Sequence, residues 1–68
     1  MKLSARNLFK GKVTELKQGA VNSVVKVDIG GGNVITSMVT LGAVEDLGIG
    51  VGDEVTVVIK SSDVMLAK

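Results

Sequence analysis

In the stretch VNSVVKVDI, Val25, Val27 and Ile29 alternate with Lys26 and Asp28. A two-residue period is what a half-buried strand requires, because successive side chains point to opposite sides of the pleat. The same period recurs in DEVTVVIK: Val55, Val57 and Ile59 share one face, while Glu54, Thr56 and Lys60 share the other, interrupted by Val58. NVITSMVT has apolar residues on both faces and is expected to be covered on both sides. With FKGKVTEL and DVMLA, these make five expected strands. Proline is absent, so nine glycines do the punctuating. Gly19 in KQGAVN, the run Gly30, Gly31 and Gly32, and Gly48, Gly50 and Gly52 in LGIGVGDE read as turns. The triple glycine lacks the lysine and the strand-to-helix setting of a P-loop, and reads as a hairpin.

One segment departs from the strand period. In TLGAVEDLG, Leu41, Val44 and Leu47 recur at i, i+3 and i+6, Thr40 can act as N-cap, and Gly48 can end the turn. A short helix is therefore expected between the third and fourth strands. That order matches an OB-fold: an all-β architecture with one short helix, closed as a small, partly open Greek-key barrel. The expectation is one domain over residues 1–68, with no internal repeat.

Size then becomes the problem. A chain of about 60 residues buries only about 60% of the surface its unfolded form exposes, and small scaffolds need a staple or a partner. Without cysteine there is no disulfide, and without histidine the usual zinc sites are gone, so no free metal cation is expected. The apolar 46% is mostly valine, with Phe9 the one aromatic. Self-association is the remaining support, and an obligate oligomer is expected. No stretch has the length of a signal-peptide core or a spanning helix, so a soluble, cytoplasmic protein with no membrane partner is expected. A net charge of +1, with the charges scattered, is not a nucleic-acid footprint.

Two stretches near the ends carry the chemistry. In SARN, strand alternation would put Ser4 and Arg6 on one face, and in KSSD, Lys60, Ser61 and Ser62 stand at a strand end. A guanidinium fork, an ammonium and hydroxyl donors suit an anion, because donors to a charged oxygen make shorter, stronger bonds than neutral pairs. A tetrahedral oxyanion needs donors from several directions, which two chains meeting at an interface can supply. The alternatives stay open at this level. Arg6 and Lys60 also read as solvated charges, KSSD as turn chemistry, and Thr40 as nothing more than a cap.

SARNLFKGKV, ITSMVT and LGIGVGDEVTVVIKSSDVM together resemble the molbindins, also called molybdenum-pterin-binding proteins, over essentially the whole chain. These are relatives of a module found in molybdate-responsive regulators and transporter ATPases. The resemblance implies binding of molybdate and the isosteric tungstate by OB-like barrels that exchange their first strand within a dimer. Three such dimers would form a homo-hexamer with oxyanions at the subunit interfaces. Carried over by position, the ligand residues are Ser4, Arg6, Thr40, Lys60 and Ser61. Ala43 stands where some relatives have serine, so it and Ala5 are left with backbone contacts. A second kind of site is expected at the turn Gly19, Ala20, Val21 and Asn22, through a nest of backbone N–H groups. No organic cofactor is expected: despite the pterin in the family name, no aromatic is placed to stack on one.

Three classes of function can be weighed. Reversible oxyanion binding for intracellular molybdenum storage or homeostasis fits best. A nucleic-acid-binding OB module would need stacking aromatics and a positive groove, and Phe9 stands alone. Catalysis has few players, with no His, Cys or Tyr and with Glu45 and Asp46 reading as a solvated helix face, so no enzyme is expected. A regulatory or interaction module without a storage role is the alternative.

Overall fold

The chain's computed structural model describes residues 4–68. It contains four strands, β1 (Asn7–Gln18), β2 (Asn22–Gly30), β3 (Asn33–Thr40) and β4 (Glu54–Ile59), with one helix, α1 (Leu41–Leu47), between the last two. All pairings are antiparallel and the spatial order is β3-β2-β1-β4. Three consecutive strands followed by a fourth that returns beside the first is the Greek-key arrangement. The expected fold class is what the structure has: mostly β, one short helix, and a curled sheet of OB type.

The turns behave as their residues dictate. Gly30, Gly31 and Gly32 all take positive φ (96°, 62° and 79°), which makes the tight β2–β3 hairpin. Asp28 Oδ1 accepts from Gly30 N–H at 2.8 Å, and Asn33 Nδ2 donates to the Gly30 carbonyl at 3.2 Å. Helix α1 starts where Thr40 Oγ1 accepts the Ala43 N–H at 3.1 Å. It stops at Gly48, whose φ of 63° is the left-handed cap conformation.

β1 is the organising strand. Residues Asn7–Lys12 pair with β4, and residues Lys12–Gln18 pair with β2. Between Val13 and Glu15 the register slips by one residue, a bulge that bends the strand from one partner toward the other. The slip explains why Val13 and Leu16, three apart, both face inward. Val13 is also tied to the loop before β4: its N–H donates to the Asp53 carbonyl at 2.9 Å, and its own carbonyl accepts from Gly52 N–H at 2.8 Å. Asp53 Oδ2 holds that loop by accepting the Gly50 N–H at 2.8 Å.

The core is small, as the composition implies. Val13, Val25, Val27 and Val44 are its buried hydrophobic members, with Leu16, Ile29, Val39, Ile49, Val55 and Val57 packed around them. Val44 closes the inside of the curl from the helix. Ser23 is also fully buried, and its hydroxyl has no hydrogen-bond partner among the described residues.

Three expectations are corrected here. DVMLA is not a fifth strand: Ser61–Asp63 form a 3-10 turn, and the residues after it have no regular structure. Met65 and Leu66 are 93% and 94% exposed. An apolar run becomes a strand only where it pairs with an edge, and within the chain these residues pair with neither β3 nor β4. The second correction is that SARN is not a strand edge. β1 begins at Asn7, and Ser4 to Arg6 lie before it in irregular backbone, so strand alternation does not place Ser4 beside Arg6. Third, β3 is not covered on both sides within the chain. Its inward residues Ile35, Ser37 and Val39 are half-buried, while Val34 and Met38 on the other face are exposed.

Candidate functional site

The β1–β4 ladder ends at the pair Asn7 and Ile59. Arg6 is the next residue on one strand and Lys60 the next on the other. Two motifs more than fifty positions apart in sequence thus meet at one end of one strand pair. Asn7 Nδ2 donates to the Ile59 carbonyl at 3.2 Å and fastens the junction. Beyond it the chain turns, with Asp63 N–H donating to the Lys60 carbonyl at 2.9 Å and Val64 N–H to the Ser61 carbonyl at 3.3 Å. KSSD does form a turn, but through backbone groups, without the expected capping by the Ser61, Ser62 and Asp63 side chains among the described residues, so the turn is compatible with ligand binding. The side chains of Ser4, Arg6, Lys60 and Ser61 are all exposed, and Ala5 is half-buried beside them. None of the four makes a hydrogen bond or ion pair among the described residues; the one ion pair there is Lys26 with Glu15, on the outer face.

Thr40 belongs elsewhere. It pairs with Asn22 across β3 and β2, at the opposite end of β1 from Arg6. β1 has 12 residues, and at ~3.3 Å per residue its ends are on the order of 30 Å apart. Within this chain Thr40 and Arg6 therefore stand at separate ends of the sheet and not around one small anion. Thr40 instead joins the loop expected as the second site: Leu41 N–H donates to the Val21 carbonyl at 2.9 Å, and Gly19 N–H to the Asn22 carbonyl at 2.8 Å. The Thr40 oxygen is used in capping, but its hydroxyl proton remains available to an acceptor. The Ala43 N–H, expected as a backbone contact, is already committed to that cap.

The expected nest at Gly19–Asn22 does not form in its usual αR–αL alternation, because no residue of the loop has positive φ. Gly19 is needed there for space. A Cβ on it would lie 2.7 Å from the Asn22 carbonyl oxygen. Among the described residues, no group of three or more acidic, His or Cys side chains is placed to hold a metal cation. Reading the sequence singled out the ends of the two motifs but not Asn7 as the link between them. A short amide at the first position of a strand, next to the motif's arginine, was the available signal.

The class that this fold and site define is a small OB-like barrel module presenting an arginine, a lysine and hydroxyls at the end of one strand pair. The family model of the TOBE domain matches residues 3–66. The chain is 52% identical over 66 residues to a probable molybdenum-pterin-binding protein of Haemophilus influenzae, covering 97% of this chain and 96% of that one. Among solved structures, it resembles MopII from Clostridium pasteurianum with a TM-score of 0.92 at 51% identity, covering 98% of this chain and all of the other. It resembles a molybdate-binding protein from Sporomusa ovata with a TM-score of 0.93 at 31% identity, each chain covered in full. The chain belongs to the TOBE domain family, among its molybdenum-pterin-binding proteins, a family of binding proteins rather than enzymes.

Proposed function

We propose that the protein binds molybdate, and tungstate of the same shape, as free oxyanions for intracellular storage and homeostasis, without catalysis and without an organic cofactor. The observation that carries the reading is the meeting of Arg6 and Lys60 just beyond the last rung of the β1–β4 ladder, with Ser61 next in the chain after Lys60 and Ser4 two residues before Arg6. Two like charges at adjacent positions, neither paired with a carboxylate among the described residues, favour a dianion between them. The relatives' binding of molybdate names the dianion.

The sites complete themselves between chains. Thr40 and the Gly19–Asn22 loop lie too far from Arg6 to share an ion within one protomer, so both ends of the barrel meet ligand only where copies abut. Leu8 and Val58, paired on the outer face beside Arg6 and Lys60, are 50% and 43% exposed and offer apolar surface for that contact. The assembly we assign is a homo-hexamer in the cytoplasm, where free oxyanion would be drawn on by the cell; β1 pairs with β2 and β4 of its own chain, so the expected strand exchange is not assigned. Net charge near zero and the absence of stacking aromatics argue against a nucleic-acid partner.

Selectivity follows from donor placement. Molybdate, tungstate and sulfate are all tetrahedral dianions, so charge does not separate them. A smaller sulfate leaves donors unpaired at about 1–3 kcal/mol each. Isothermal titration with molybdate, tungstate, sulfate and single-stranded DNA tests the reading. Molybdate and tungstate should bind within a few-fold of one another, sulfate should compete weakly, and DNA should give no heat. Sulfate displacing molybdate at equal concentration would mark a generic anion patch and end the proposal.

A further inference from the structure

We infer that Asn7 is a positioning residue of the oxyanion site: its side-chain amide sets the spacing at which Arg6 and the Lys60–Ser61 turn face one ligand. The inference rests on the oxyanion reading above and deepens it. The amide touches no ligand itself.

The last rung of an antiparallel ladder has a neighbour on one side only, so strand ends open more readily than strand interiors. Here the functional residues sit immediately beyond that rung, Arg6 before Asn7 and Lys60 after Ile59. Two cations at adjacent positions repel one another when no anion lies between them, which pushes the strand ends apart. The bond from Asn7 Nδ2 to the Ile59 carbonyl, at 3.2 Å, opposes that splay. It grips the peptide group joining Ile59 to Lys60, from which the turn Ser61–Asp63 departs. Asn7 is half-buried, whereas Arg6, Lys60 and Ser61 are exposed, so it forms the packed base of an otherwise exposed constellation. Holding the donors in place before the ligand arrives removes ordering cost from binding.

The test is a set of molybdate titrations on the assembled protein. Asn7→Ala should weaken binding roughly 3- to 10-fold, the range of one net hydrogen bond. Asn7→Gln, which keeps the donor on a longer arm, should recover part of the loss. Asn7→Leu, of similar volume and without a donor, should lose as much as Asn7→Ala and serves if the smaller residue impairs assembly. The decisive reading is a double-mutant cycle. Because Asn7 acts by placing Lys60 relative to Arg6, adding Asn7→Ala to Lys60→Ala should cost less than about two-fold further. A merely structural role would multiply the two losses in full and track the melting temperature. Full multiplication, or wild-type affinity in Asn7→Ala or Asn7→Leu, overturns the inference. No molybdate heat from the wild-type protein would instead defeat the oxyanion reading itself.

Discussion

Gly11 tests whether β1 and β2 cross as closely as the structure has them. It sits opposite Val55 on the β4 side and faces inward. A Cβ at Gly11 would lie 2.5 Å from Val27 Cγ1, 2.8 Å from the Asp28 carbonyl oxygen and 3.1 Å from Ile29 Cγ2. Val27 is 3% exposed and cannot swing aside, and the Asp28 carbonyl belongs to the backbone of β2. Gly11→Ala therefore overpacks the core, at about 1–3 kcal/mol. Its φ is not positive, so alanine also recovers about 0.4–1 kcal/mol by restricting the unfolded chain. The net expectation is a loss of about 1–2 kcal/mol, and for a domain this small roughly 4–8 °C of melting temperature per kcal/mol. Gly42 is the matched control, a helical glycine with nothing within 4 Å of the added carbon. Gly42→Ala should be neutral or stabilising by up to about 1 kcal/mol. Thermal melts of both variants at one protomer concentration decide the matter, since association makes melting concentration-dependent. A Gly11→Ala protein melting at or above the wild-type temperature would refute the close crossing.

Arg6→Ala removes a charge-assisted bond of roughly 1.5–3 kcal/mol, so molybdate affinity should fall on the order of 10- to 150-fold; unchanged titration would remove Arg6 from the site. Thr40→Ala should destabilise by about 1 kcal/mol through loss of the helix cap, and Thr40→Ser should restore most of it in the same melts. Ser23→Ala should be neutral or stabilising, because the buried hydroxyl it deletes has no partner among the described residues, and a clear loss of stability would reveal an acceptor supplied by assembly. Sedimentation without ligand should find the hexamer, and a stable folded monomer at micromolar concentration would contradict the assembly.

What was legible in the sequence is what short-range sterics decide. The alternation in β2 and β4 held because side chains on a strand must take opposite faces. Helix α1 appeared between Thr40 and Gly48 because a hydroxyl N-cap and a left-handed C-cap are local devices. The triple glycine turned because only glycine takes three successive positive φ values cheaply. The family was legible too, in two motifs that a chain of any fold could have carried at its ends. The tertiary structure alone decided the remainder, because each remaining feature depends on residues far apart in sequence. The expected fifth strand is absent because DVMLA pairs with neither edge strand of the sheet, β3 or β4, which no property of DVMLA itself reveals. The bulge after Val13 exists because β1 must serve β4 along one half and β2 along the other. Gly11 is required by a neighbour sixteen positions away, not by its own φ. The ladder's register brings Arg6 to Lys60, and the same register carries Thr40 to the far end of β1. Residues expected as one set of ligands lie in two groups, Arg6 with Lys60 at one end of β1 and Thr40 at the other.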